Sequence, residues 1–272
     1  LSLPITQSDI QNKFLQDKTA LVTGASRGIG KAIALKLASC GANLLLLARN
    51  QVTLNLVEDQ VKQLGVECQT LAVDLGNEGP DEESLREMIL GAGEVDILIN
   101  NAGISESYAL DDCPDQRWDE TLLVNLISPA LLSKITLEAM QKKGWGRIIN
   151  ISSISGKMGE VFAGAYSASK FGIIGLTESI ALITARHGIT VNAICPGWVL
   201  TDMAEEVLQD PSWCAYHNIP IEESIEIARL SIPQERFIEP EEIADLTAFL
   251  CTEGARGITG QSITVCGGLT LR

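Results

Sequence analysis

Uninterrupted apolar runs of strand length alternate along this chain with segments in which apolar residues recur at helical spacing. TALVTGA, NLLLLAR, CQTLAVDL, DILINNAG, GRIINISS, ITVNAICPG and SITVCGG read as seven strands, mostly apolar as the strands of a parallel sheet wrapped by helices are. Helical segments fill every interval. This order predicts an α/β protein: a Rossmann-type doubly wound parallel seven-stranded sheet with helices on both faces, in a single domain. In the first helix, IGKAIALKLASCG, Ile29, Ile33, Leu37 and Ala38 fall on the side that would meet the sheet, and Gly41 is placed to end it. Between 203 and 232 the pattern loosens: Pro211 and Pro220 flank Trp213 and Tyr216, and two short helices broken by loops are expected. Such a segment after a strand end suits a lid over a substrate, and equally a surface excursion with packed aromatics.

Composition narrows the class. At 272 residues, with 46% hydrophobic and 20% charged, the chain is long enough and apolar enough for one globular domain, expected over 18–272 behind an N-terminal extension, 1–17. A net charge of −15, with no basic run longer than Lys142-Lys143, argues against a nucleic-acid or membrane partner. Apolar runs such as ANLLLLA are too short to cross a bilayer, and LSLPITQSDIQNKF has neither the basic start nor the apolar core of a secretory signal. Seven cysteines without a C-x-x-C pair read as reduced core residues, so a cytoplasmic protein is expected. His187 and His217 have no ligand-spaced companions, and no metal is expected.

Candidate chemistry begins at TALVTGASRGIGKAIA, where glycines 24, 28 and 30 follow a strand and open a helix. Glycine lets the backbone approach a pyrophosphate, which the free N–H groups and the helix dipole then stabilise. The second strand ends in Ala48-Arg49 and offers no carboxylate to ribose hydroxyls, whereas Arg49 and Arg27 could hold a 2′-phosphate; NADP(H) is therefore expected over NAD. Farther on, Tyr166 and Lys170 lie four residues apart on one helical face. That spacing alone also fits an ordinary amphipathic helix.

Taken together, TGASRGIG (23–30), VDL (73–75), NNAG (100–103), VNL (124–126), ISS (151–153), YSASK (166–170) and PGWVLTDM (196–203) resemble, in order, the motifs of the classical short-chain dehydrogenase/reductase family. The resemblance runs from about Lys18 to the C-terminus and is nearest the 3-oxoacyl-acyl-carrier-protein reductase branch. It implies a dinucleotide site formed by Gly24, Ser26, Arg27, Gly28, Ile29, Gly30 and Arg49, with Asp74 and Leu75 flanking the adenine and Asn101, Ala102 and Gly103 behind it. Pro196 and Gly197 would shape the turn from which Val199 and Thr201 meet the nicotinamide carboxamide.

The implied catalytic set is Asn125, Ser153, Tyr166 and Lys170. Hydride transfer to a carbonyl needs a proton, and Tyr166 would supply it, its phenol lowered by the Lys170 charge. Lys170 would also hold the nicotinamide ribose. Ser153 would donate to the substrate oxygen; strand alternation puts Ser152 on the opposite face. Asn125 would hold a water joining Lys170 to solvent, or else be a buried amide satisfying backbone groups.

The substrate is expected to be a small ketone, alcohol or acyl compound. Met158, Val161, Phe162, Trp198, Trp213 and Tyr216 are candidates for an apolar pocket wall or for packing. A same-fold alcohol dehydrogenase running oxidatively and a non-catalytic NADP(H) sensor are the alternatives. Lys142, Lys143, Arg147 and Arg186 offer a basic edge to an acidic carrier, which the net charge opposes. Apolar surplus on the helices near 118–143 and 167–186, at Leu122, Leu131, Leu132, Ile174, Leu176 and Ile180, predicts a homo-oligomer, dimer or tetramer.

Overall fold

In the computed structural model, which describes residues 13–76, 79–105 and 107–271, the apolar runs become β1 (Thr19–Thr23), β2 (Asn43–Ala48), β3 (Cys68–Ala72), β4 (Ile97–Asn100), β5 (Gly146–Ile151), β6 (Ile189–Pro196) and β7 (Ser262–Val265). They form one parallel sheet in the order β3-β2-β1-β4-β5-β6-β7. Alternate residues of each strand feed opposite cores. Leu44 and Leu46 of β2 join Ala20, Val22, Ile97 and Ile99 in one, while Leu45 and Leu47 join Leu21 and Leu98 in the other. Both faces being covered, most positions of either set are apolar, and the buried Asn100, Asn150 and Asn192 are tolerated because each is hydrogen-bonded.

The first core is closed by α1 (Gly28–Ser39), α2 (Gln51–Gln63) and α10 (Pro240–Leu250), the second by α3 (Glu82–Ala92), α5 (Ser128–Lys143) and α6 (Gly164–Thr184). As expected, Ile33, Leu37 and Ala38 of α1 are buried, Ile29 packs at the edge, and Gly41, with φ +97°, lies one residue beyond the cap. A helix α4 (Asp115–Leu122) runs into α5 through a π-helical turn, Leu123–Ile127. By length and mean hydropathy, 1.4 and 1.3, the continuous helices Asp115–Lys143 and Gly164–His187 could cross a membrane, although neither is an uninterrupted apolar run. Here they lie on the sheet.

Two expectations need correction. The stretch after β6 forms three α-helices, not two: α7 (Asp202–Leu208), α8 (Pro211–His217) and α9 (Ser224–Ser231). Pro211 starts α8 rather than breaking it, because Asp210 accepts from the N–H groups of Ser212 and Trp213 and caps the turn that the proline opens. The extension expected over 1–17 is described only in part. Residues 1–12 lie outside the described residues, but Leu15 is fully buried and its N–H donates to the Cys40 carbonyl at 3.0 Å. Finally, Leu132 and Ile180 are not surplus, since both are buried in the chain's own second core; the exposed apolar residues of these helices are Ile127, Phe171, Leu182 and Ile183.

Candidate active site

The sheet order reverses between β1 and β4, and at the carboxyl ends of these strands lies a cleft of about 720 Å3. Open α/β sheets bind ligands at such a switch point. All but two of the expected site residues line it. Gly30 and Asn125 stand behind the wall.

The phosphate turn is built by close approach. Gly24 and Gly28 have φ of +62° and +53°, and a Cβ on Gly30 would sit 2.3 Å from the Gly24 carbonyl oxygen. Glycine is therefore demanded at 24 and 28 by dihedral angle and at 30 by contact. The turn is stapled to β4 by Thr23, whose Oγ1 accepts from the N–H groups of Asn101 and Ala102 at 2.9 Å, while Asn101 Nδ2 donates to the Thr23 carbonyl at 2.9 Å. Thr23 was not among the expected site residues; its position at the last residue of β1 was the available signal. No side chain caps α1, and its first turn holds no acidic residue, so its N–H groups face the cleft unneutralised. This cradle fits a dinucleotide pyrophosphate. At the end of β2, exposed Arg49 makes no ion pair among the described residues, whereas Arg27 is held by Asp202 of α7 at 2.8 Å. Of the two expected phosphate ligands, one is thus already engaged. Asp74 accepts from the Gly76 N–H at 2.8 Å, folding the segment after β3 against the cleft.

At the other end, α6 presents Tyr166 and Lys170 to the cleft from successive turns, the ammonium 5.4 Å from the ring centroid. The expected lowering of the phenol by this lysine is absent. Burial pushes the Tyr166 hydroxyl up to about 12, with the Glu160 charge adding to the rise and the Ser153 hydroxyl opposing it. Lys170 is itself pushed down to about 8 by burial, and its Nζ donates to the Ile151 carbonyl at 2.9 Å. Desolvation is the leading cause in both groups. The two serines divide as strand alternation requires: Ser152 donates to the Lys170 carbonyl at 3.0 Å, and Ser153 lies beside the phenol.

Asn125 sits in the π-helical turn. Its amide accepts from the Ile104 N–H and donates to the Ile104 carbonyl, each at 2.9 Å, and donates to Ser169 Oγ at 3.1 Å. These are the bonds of a buried amide that satisfies backbone groups. Gly103 lies between it and the lysine: a Cβ there would be 3.4 Å from Asn125 Oδ1 and 3.5 Å from Lys170 Nζ.

Val161, Phe162, Trp198 and Trp213 form the apolar wall. Met158 and Tyr216 do not; Tyr216 meets Phe162 edge-on from α8, at 5.5 Å. Glu160 was missed, and with it Ser155, whose hydroxyl donates to the Glu160 carboxylate at 2.7 Å. Neither belongs to a repeating pattern, so nothing short of the folded loop marks them. The basic edge expected to greet an acidic carrier is largely neutralised. Lys142 pairs with Glu138, Lys143 with Glu94 and Asp96, and Arg147 is fully buried against Trp145 and Glu253.

The model of the short chain dehydrogenase family matches residues 18–212. The chain is 36% identical over 256 residues to D-beta-hydroxybutyrate dehydrogenase of Cupriavidus necator, with 94% of this chain and 98% of that protein covered. It is 37% identical over 255 residues to a 3-oxoacyl-acyl-carrier-protein reductase of Staphylococcus epidermidis, covering 93% and 99%. Among solved structures, a variant of actinorhodin polyketide ketoreductase with NADPH superposes with a TM-score of 0.86 at 38% identity, over 93% of this chain and 97% of that one.

Proposed function

Since this chain belongs to the short chain dehydrogenase family, we propose that it is an NADPH-dependent oxidoreductase that interconverts a carbonyl compound and its secondary alcohol, Tyr166 exchanging the proton. The observation that carries this reading is the placement of Tyr166, Ser153 and Lys170 at one end of a cleft whose other end is the glycine turn. The nicotinamide, when bound, supplies or accepts the hydride. The protein's part is the proton and the charge. A phenol pushed up to about 12 stays protonated at neutral pH and is suited to donate to an oxygen that is becoming an alkoxide. Ser153, beside it, would turn its hydroxyl proton from Ser155 to the same oxygen and stabilise the developing charge. Lys170 would bond the nicotinamide ribose hydroxyls, Val199 and Thr201 the carboxamide, and Asn125 fixes the loop at Ile104 that closes this end.

NADPH over NADH is supported by the missing carboxylate at the end of β2 and by exposed Arg49. The neutralised basic edge favours a free small ketone or acyl compound over one carried on an acidic protein. We place the enzyme in the cytoplasm as a dimer or tetramer, with 203–232 as the substrate lid. Absorbance at the reduced-nicotinamide band, with NADPH and NADH against ketones and 3-oxoacyl thioesters, tests the reading. Wild type should consume NADPH, and Tyr166→Phe should lose about 10²–10⁴-fold in kcat while still binding NADPH. Preference for NADH would overturn the role of Arg49, and an undiminished Tyr166→Phe enzyme would overturn the role of the phenol.

A further inference from the structure

From Ser153 of the catalytic trio, a second polar chain runs along the cleft. Ser153 Oγ donates to Ser155 Oγ at 3.1 Å, Ser155 Oγ donates to Glu160 Oε1 at 2.7 Å, and the Ser155 N–H donates back to Ser153 Oγ at 3.1 Å. Both serines are buried. Glu160 is half-buried in the cleft wall and makes no ion pair among the described residues. Its charge reaches the Tyr166 hydroxyl, whose proton affinity it raises.

The cations lining the cleft lie elsewhere. Arg27 and Arg49 belong to the phosphate end, and the Lys170 ammonium is directed to the Ile151 carbonyl. Phe162 and Trp213 line the same cleft, and aromatic rings attract apolar groups and cations alike. A carboxylate one or two carbons from the reacting carbonyl would therefore meet a fixed like charge and no counter-ion.

We propose that Glu160 is the charge selector of this site: it admits neutral and cationic carbonyl substrates and rejects those bearing a free carboxylate. The proposal rests on the reductase reading above for its chemistry but not for its binding test. A like charge within several ångströms in a partly screened cleft disfavours the anion by about tenfold or more.

The test compares acetoacetate with ethyl acetoacetate, which share a skeleton and differ in charge, for wild type, Glu160→Gln and Glu160→Asp with NADPH. Glutamine keeps an oxygen to accept from Ser155 and loses only the charge. The ester-to-anion ratio of kcat/KM is expected to fall by about tenfold or more in Glu160→Gln and to stay high in Glu160→Asp. An unchanged ratio in Glu160→Gln would overturn the proposal. Turnover of neither compound by wild type would speak to the substrate of the reductase reading and not to the selector. Quenching of Trp198 and Trp213 fluorescence by the two compounds, on NADP-loaded protein, then decides the selector by the same change in ratio.

Discussion

Tyr166 and Lys170 share one face of α6, yet the interior drives them apart: the phenol up to about 12, the ammonium down to about 8. At neutral pH the tyrosine is thus a proton donor in waiting. Reduction should hold its rate from about pH 6 to 8, while oxidation of the alcohol, which needs the phenol deprotonated, should climb as pH rises; a pH series run in both directions checks this. The lysine carries a cost of folding. Between pH 8 and its ordinary 10.5 the unfolded chain binds more protons at this group than the folded one, so its penalty is full below 8 and fades as pH rises through that window. A shift of this size corresponds to about 3 kcal/mol, offset in part by the bond to Ile151. Lys170→Met is therefore expected to abolish turnover yet gain about 2 kcal/mol at pH 7 in urea unfolding, a gain that shrinks toward pH 10. A destabilised variant at pH 7 would mean that the Ile151 bond outweighs the buried charge.

At the scale of elements, the turn between β1 and α1 leaves no room for change. A methyl on Gly30 would press into the Gly24 carbonyl, so Gly30→Ala should open the phosphate turn and cost about 1–3 kcal/mol, with NADPH binding lost in a fluorescence titration. The ion pair from Arg27 to Asp202 joins this turn to α7, and both partners are largely exposed. Such a pair adds little stability, but it competes with a 2′-phosphate for the same guanidinium. Asp202→Asn should thus leave the melting temperature nearly unchanged and lower the KM for NADPH a few-fold, with no change for NADH. These elements differ in how far the chain announces them. Strands buried on both faces, such as LLLLA at 44–48, are legible as unbroken apolar runs, and the glycine turn by its spacing. The π-helical turn at Asn125 is not, because LVNLI holds no glycine or proline to mark the point at which the helical register shifts. Nor is α8, where proline reads as an interruption unless the capping role of Asp210 before it is recognised.

For the whole molecule, the apolar surplus of the long helices could be foreseen, but not the residues that carry it. Leu132 and Ile180 share helices with Ile127 and Leu182, and only the angle at which each helix crosses the sheet decides which are covered. On α6 the outer stripe runs through Phe171, Gly175 and Leu182; Leu182 is 83% exposed, and a Cβ on Gly175 would touch nothing. A stripe with a bare glycine at its centre permits close approach of another helix, and a second copy of α6 about a twofold axis presents the matching surface. Wild type should therefore scatter light as two or four times 29.2 kDa. Phe171→Glu combined with Leu182→Glu should shift it toward the single-chain mass, since like charges would then face each other across the axis with no partner. Both side chains are largely free of the chain's own core, so unfolding of the dissociated chain should stay cooperative. A wild type that already runs at the single-chain mass would refute the interface and leave the stripe as exposed surface.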